Sequence, residues 1–593
     1  MEGSIISSVF FVVSVSLLYV GIFRIKKSEN PLNGVIWVMM NFISLLCWGA
    51  FCGGIINMLH IPVNIVSMGA IYLVSAAAVF FKIKKDGETQ NYEWKKYDII
   101  YTCIFAGVIF LLLLNRITIH MDFVFNNSDA AVHMRNSLTI VRTGKLDTMY
   151  FAPMHNALIT EIFLPFIEKV STYKVFMMVD GAMFILEAVF FMTMIRDYLN
   201  KTVLKILGIT IGFAYVFGYP MHSYLLCFFY WGIGVLLIEY IITLVKEFAA
   251  GNIRKETGLF LMMTGCTSIT MCYMLFGPVS YVAVFVCLCV WFCKKNTLFS
   301  WDTVKISLQI FLIPCIMSVY YCYFLFLKKQ NLSIGDALNL QGGIYGELFI
   351  NFIWVMPFVI YRLIKSVKRK HLDEIMIFFL CFLAMVLSIG VLAVLEKASA
   401  YYYFKFYYPV WMLGFIITAQ AVVEIYDEAR DLLLSGLFAA VILLGISVTN
   451  LEERVQNRGI GYGDRTSELF DIYYHNVTEY RNRKIVFDKD YLEACNYVME
   501  NMGKTENVPL ISLIDNYEYC YWYEALTGED SSDYYTWDFG MNDIMDKLNH
   551  KETKHFVICK THPVYLLHQD YFDSFHWVFE NDKVFIAETE NRK

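Results

Sequence analysis

The polar stretch Asn127-Ser128-Asp129-Ala130-Ala131-Val132-His133-Met134-Arg135-Asn136 sets Asp129, His133 and Asn136 at a spacing that puts all three on one face of a helix. It places an acid where a membrane enzyme could use one. Asn127 or Ser128 can cap that helix, Asp129 falls in the first turn where the macrodipole favours a carboxylate, and Gly144 is placed to stop it. Ala131, Met134, Leu138 and Val141 form most of another face, suited to lipid headgroups or neighbouring helices. The polar face then looks into whatever cavity the helices enclose.

Other chemistry-bearing residues flank this helix. Asp122 precedes it, and Tyr150-Phe151-Ala152-Pro153-Met154-His155-Asn156-Ala157-Leu158 follows, so that Arg135 and His155 are further binding candidates. A second cluster is Glu396-Lys397-Ala398-Ser399-Ala400-Tyr401-Tyr402-Tyr403-Phe404-Lys405-Phe406-Tyr407-Tyr408-Pro409, which reads either as an interfacial tyrosine belt with snorkelling lysines or as an anion-binding motif. Within apolar segments, Asp180 and Glu187 share a helix face and Glu239 sits deep, and intramembrane carboxylates are paired or functional by default. Asp180, about two turns below the surface, is placed to line a cavity.

The elements that must position these groups are membrane helices. A chain of 593 residues that is 58% hydrophobic and 17% charged is a multi-pass membrane protein. A net charge of -6 gives no basic excess for nucleic acid. The 15 cysteines fall mostly in apolar segments without metal-ligand spacing, and read as small hydrophobes. The first segment, 4 to 22, has neither a preceding basic residue nor a small-residue cleavage site and reads as a retained helix.

Apolar stretches near residues 4–22, 34–57, 61–81, 98–114, 174–195, 203–219, 222–245, 258–276, 279–293, 303–327, 348–364, 374–395, 407–424 and 431–448 predict about fourteen transmembrane helices. Lys and Arg recur in alternate connections, as at Lys26, Lys84, Lys205, Lys294 and Lys368, which sets those loops in the cytoplasm and the N-terminus outside. The loop 115–173 is then extracytoplasmic, as are the loop 328–347, with its flexible Gln341-Gly342-Gly343, and everything after 450. The reading divides the chain into N-terminal helices 1–97, a transmembrane core 98–449, and a small α/β module in 450–593 behind a linker 450–484. In that module a helix is expected at Tyr491–Met502, apolar runs stand at 508–514 and 555–559, and a hairpin-like pair follows around 577–579 and 584–587. Lys- and Ile-rich polar segments point to a bacterial source. Three triplets match glycosylation acceptors, at Asn126, Asn331 and Asn476, and no role is assigned to them.

The order of these elements resembles the GT-C superfamily of integral membrane glycosyltransferases: many helices, a long external loop opened by an acidic helix, a Pro-containing segment after it, and a soluble C-terminal external domain. The resemblance covers about 98–593 and leaves three helices in front of it. It implies an all-α polytopic fold with a small C-terminal α/β domain, and a sugar donor carried on polyprenyl phosphate. The superfamily's general base stands near the start of the first large external loop, the position of Asp129. Its carrier-phosphate site lies in a basic, aromatic external motif before a late helix, which makes Lys405 the first choice here, with Tyr408 beside it. Many members carry two adjacent acids in the loop, whereas Asp129 is followed by Ala130, so a metal site is not expected.

The leading expectation is therefore an inverting transferase without a resident cofactor, which moves a sugar from a polyprenyl-phosphate donor to an extracytoplasmic saccharide, glycan or lipid-linked acceptor. Asp129 would act as base, and His133, Arg135, His155, Asp180, Lys405 and Tyr408 would bind substrate. The rival is a transporter or carrier-lipid flippase that uses Asp180, Glu187 and Glu239, for which inverted repeats would be the sign. None is visible in the sequence.

Overall fold

The computed structural model describes residues 4–117, 128–147, 150–199, 202–329, 331–339, 352–353, 355–457, 471–481, 489–502, 508–511, 518–529, 541–549 and 553–592. Asp122, Asn127 as helix cap, Asn126 and Gln341-Gly342-Gly343 lie outside them.

The chain is overwhelmingly helical. It opens with α1 (Ile5–Arg24), α2 (Gly34–Met58), α3 (Ile65–Asp86) and α4 (Lys96–Ile117), which are followed by the loop helices α5 (Ser128–Thr143) and α6 (Phe151–Phe163). The bundle continues with α7 (Thr172–Arg196), α8 (Thr202–Val216), the short α9 (Tyr219–Leu225), α10 (Phe229–Ala249), α11 (Lys255–Cys272), α12 (Phe276–Lys294) and α13 (Trp301–Ser318). Then come α14 (Ile334–Leu338), α15 (Met356–Lys368), α16 (Glu374–Val394), α17 (Ala400–Lys405) and α18 (Tyr407–Asn457), the last bent at Ala429. The polar tail contributes α19 (Asp471–Arg481), α20 (Lys489–Asn501), α21 (Glu518–Thr527) and α22 (Met541–Leu548).

Among the described residues, ten helices are long and apolar enough to cross a bilayer. The sequence predicts about fourteen, and the difference falls on four segments. These are α10, which carries Glu239 and is packed on all sides; α11, with a polar first turn; α15, only 13 residues long; and the distal part of α18. The exposed apolar faces of α1 and α4, such as Ile6, Val9, Ile104 and Leu111, are lipid-facing by their composition. The protein is a multi-pass membrane protein with its polar residues gathered at the helix ends.

The two ends differ. At one, Leu32–Asn33 pairs in parallel with Tyr92–Glu93, Arg254 bonds Glu29 at 2.8 Å, Lys294 approaches His371 at 2.9 Å, and Arg362 bridges Asp373 and Glu424. This is the basic end. α4 leads from there to the other end, where α5, α6 and the tail meet: Arg135 of α5 bonds Glu524 of α21 at 2.9 Å, and Arg142 donates to the carbonyls of Ala525 and Leu526. The acidic loop helix and the tail therefore share one end of the bundle.

The tail holds a four-stranded sheet in the order Leu510–Ile511, His555–Cys559, Val584–Arg592, Phe575–Glu580, with the first pair parallel and the others antiparallel. The expected helix and hairpin are both present. Phe556, Phe572, Phe575 and Phe585 fill the space behind the sheet.

Candidate active site at the loop-helix end

α5 is built as its sequence pattern requires. Ala131, Met134 and Leu138 are fully buried against neighbouring helices, not laid on headgroups, and Asp129 lies in the first turn. Gly144 ends the helix with φ +65°, its N–H bonded to Ile140 O at 2.7 Å; a side chain there would also press on Pro62.

Lys405, at the end of α17, is 2% exposed. Its ammonium sits in an aromatic cage: ring centroids of Phe228, Trp231 and Tyr401 lie 3.8, 4.8 and 4.9 Å from Nζ. Cation–π attraction offsets part of the hydration the ammonium has lost. The indole N–H of Trp231 also donates to the Lys405 carbonyl at 2.7 Å, so side chain and backbone are both held.

Asp129 shares this environment. Burial raises its carboxyl above the ordinary value and the Lys405 charge works in the opposite sense, which sets the two groups within Coulombic reach. Tyr401 and Cys227 also lie in the Asp129 field. One turn on, His133 stands edge-on to Tyr230 at 4.7 Å, and burial, assisted by Lys405, brings its imidazole down to about 3. His133 is thus neutral at physiological pH and cannot supply a positive charge. Asn136 bonds the Tyr230 hydroxyl.

Asp180 is buried on α7 with the Cys227 thiol 4.0 Å from its Oδ2. Cys227 adopts φ +53° between α9 and α10, a left-handed conformation that costs energy for a residue with a side chain and that clusters at functional sites. The remaining sequence candidates lie elsewhere. Arg135 points to Glu524 in the tail, and His155 packs on Phe151 with Nε2 2.9 Å from the Leu46 carbonyl. Tyr408 donates to Glu187, which also accepts from Tyr215 at 3.0 Å, while Tyr215 lies 3.4 Å from Glu239. Both glutamates are thus tied into a phenol network in the bundle core. No group of three or more His, Cys, Asp or Glu able to hold a metal ion occurs among the described residues.

The tail reaches this end through α19, which falls in the stretch 450–484 whose composition reads as a linker. It covers carbonyls at the ends of α4 and α8 that no further turn of helix can satisfy. Tyr473 donates to Ala214 O, Asn476 to Phe217 O and Gly218 O, and Tyr480 to Leu112 O, at 2.7 to 2.9 Å. Arg116, 1% exposed, donates to Tyr480 O at 2.8 Å. Asn476 is therefore buried and engaged, unavailable as a glycosylation acceptor despite its triplet.

Sequence reasoning missed Trp231, Phe228, Cys227 and His222. The run Phe228-Phe229-Tyr230-Trp231 reads as part of an apolar span, and only Pro220 and His222 hint that the chain turns there.

No family model and no curated protein matches the chain. Among solved structures it is similar to the oligosaccharyltransferase of Archaeoglobus fulgidus in the apo form (12% identity, 79% of this chain and 62% of that one, TM-score 0.28). It is also similar to the archaeal oligosaccharyltransferase AglB from the same organism in complex with an inhibitory peptide and a dolichol-phosphate (13% identity, 82% and 63%, TM-score 0.28). This chain thus spans less than two thirds of the length of those chains. So loose a superposition leaves the chemistry of the site to this chain's own residues.

Proposed function

We propose that the protein is a membrane glycosyltransferase that moves a sugar from a polyprenyl-phosphate donor to a hydroxyl of an extracytoplasmic saccharide, with Asp129 as general base and Lys405 facing the donor phosphate. The observation that carries this reading is the convergence of Asp129 and Lys405, from distant parts of the chain, on one aromatic-walled place at the loop-helix end.

In this reaction the acceptor hydroxyl gives its proton to the Asp129 carboxylate as its oxygen bonds to the anomeric carbon. The bond from that carbon to the phosphate oxygen breaks, and its electron pair leaves with polyprenyl phosphate. Direct displacement inverts the anomeric centre. The leaving group is already good, so the protein's task is to orient the two substrates, take one proton and offset the phosphate charge. One carboxylate and one ammonium meet those needs, and the proposal invokes no metal. His133 and Asn136 would continue the polar face beyond the base, and Asp180 would line the same cavity.

The test is release of polyprenyl phosphate by purified protein offered a panel of polyprenyl-phosphate sugars and a saccharide acceptor. Acceptor-dependent release is expected with at least one sugar. Proton-driven uptake into liposomes without any release would instead support the transporter reading.

A further inference from the structure

The halves of α4 and α8 nearest the basic end enclose a groove that takes no part in sugar transfer. Both helices start from that end, where Arg196 at the close of α7 bonds the Asp98 carbonyl at 3.1 Å, and they meet where the rings of Phe105 and Phe213 lie 4.9 Å apart. Ile100, Tyr101, Ile104 and Val108 of α4 and Ile209 and Phe213 of α8 line the groove beside that contact. Its α4 wall is open to the bilayer, with Ile100, Ile104 and Val108 exposed by 41, 60 and 37%. Hydrocarbon, not water, fills an apolar groove at that depth. From Ile100 to Val108 is about 12 Å along the helix axis, nearly the depth of one leaflet, about 15 Å.

Each wall leads back to a lysine. Lys96, Ile100, Ile104 and Val108 stand four apart on α4, as do Lys205, Ile209 and Phe213 on α8, so each lysine belongs to the face that walls the groove, one turn before it begins. Phe105 and Phe213 are level with each other, which sets the two lysines at about one depth, and the exposed rings of Trp94 and Tyr97 mark that depth as the headgroup region. The acids nearby are already matched: Glu93 by Lys95 at 3.6 Å, Asp98 by Arg196 at 3.4 Å, and Asp197 by the fields of Lys246 and Arg196. The positive ends of the α4 and α8 macrodipoles add to the same field.

We propose that an anionic phospholipid of the leaflet at the basic end binds here, with one acyl chain in the groove between α4 and α8 and its phosphate between Lys96 and Lys205. A zwitterionic lipid fills the groove equally well but gains less from two lysines. The polyprenyl donor is not the occupant, because its phosphate is assigned to Lys405 at the opposite end of the bundle. The lipid site stands independently of the glycosyl-transfer reading.

The experiment is native mass spectrometry of the full-length protein in detergent, titrated with dioleoylphosphatidylglycerol, dioleoylphosphatidylcholine and glycerol 3-phosphate. Wild type is expected to bind the first lipid at least tenfold more tightly than the second, and to bind glycerol 3-phosphate far more weakly than either. Lys96→Gln with Lys205→Gln should bring the two lipids within about threefold of each other, while Lys84→Gln with Lys85→Gln, at the basic end of α3, should leave the preference intact. Ile209→Trp fills the groove and should weaken phosphatidylglycerol at least fivefold; Ile104→Trp, on the opposite wall, should do the same and covers the case in which the first fails to fold. No preference in wild type, the same loss in both lysine pairs, or binding that ignores both groove variants would each overturn the site. Glycerol 3-phosphate bound as tightly as phosphatidylglycerol would reduce it to a phosphate site, and a dimer abolished by the groove variants would put a second copy of the chain in the groove; either result overturns the proposal.

Discussion

Trp231 holds Lys405 at two points: its indole N–H donates to the lysine carbonyl at 2.7 Å, and its ring face lies 4.8 Å from the ammonium. That carbonyl belongs to the last residue of α17, and the residue four positions on is Pro409, which has no N–H to offer it. Trp231→Phe keeps an aromatic face but removes the N–H. The expected result is a loss of about 1 kcal/mol in stability and a higher KM for the donor with a smaller change in kcat, read from thermal unfolding and steady-state kinetics.

The pH profile reports on Asp129. A base must be ionised, and burial raises this carboxyl while Lys405 offsets part of the rise, so kcat/KM should climb with pH through a limb lying above the usual carboxylate value of about 4. Lys405→Met removes the offset and should move the limb further up. A limb that stays in place would mean the two groups do not act on each other.

His133 gives a stability prediction of opposite sense. Its folded value is brought down to about 3 from 6.5, so between these pH values the unfolded chain binds a proton that the folded chain does not. The contribution is fully present above 6.5 and is lost as pH falls toward 3. His133→Gln should flatten the fall of the unfolding midpoint across the acid range, and an unchanged slope would place the lost proton elsewhere.

The contact between Arg135 and Glu524 has two consequences. Topology reporters placed in the loop just before α5 and at the C-terminus should report one and the same compartment. Arg135→Ala takes a charged partner from a carboxylate that is 2% exposed, and should cost about 1.5–3 kcal/mol, seen as faster proteolysis of the tail at a temperature where wild type resists.

Much of this arrangement is legible in the sequence because it follows from periodicity and charge. Asp129 in a first turn, Gly144 as a stop, the buried row Ala131, Met134 and Leu138, and the hairpin near 577–587 all follow from local rules. The basic connections at one end, Lys26 to Lys294, could be grouped by alternation alone. What sequence does not carry is which side chains face each other across the bundle. Arg135 and His155 have types suited to binding, yet one is drawn to Glu524 and the other to a backbone carbonyl. Trp231 and Phe228 look like span residues because an aromatic that cages a lysine and one that packs against lipid have the same composition. α19 has the sequence of a linker because its apolar pattern is weak: it docks by hydrogen bonds to helix-end carbonyls, which leave no periodicity.

The most direct test of the central claim compares Asp129→Asn and Asp129→Glu with wild type in the polyprenyl-phosphate release assay, on protein shown to be inserted and to unfold at an unchanged temperature. Asp129→Asn should lose about 100- to 10,000-fold in kcat, the range of a general base, while still binding citronellyl phosphate, and Asp129→Glu should retain part of the rate. Turnover by Asp129→Asn within a few-fold of wild type would contradict the assignment of Asp129 as the base.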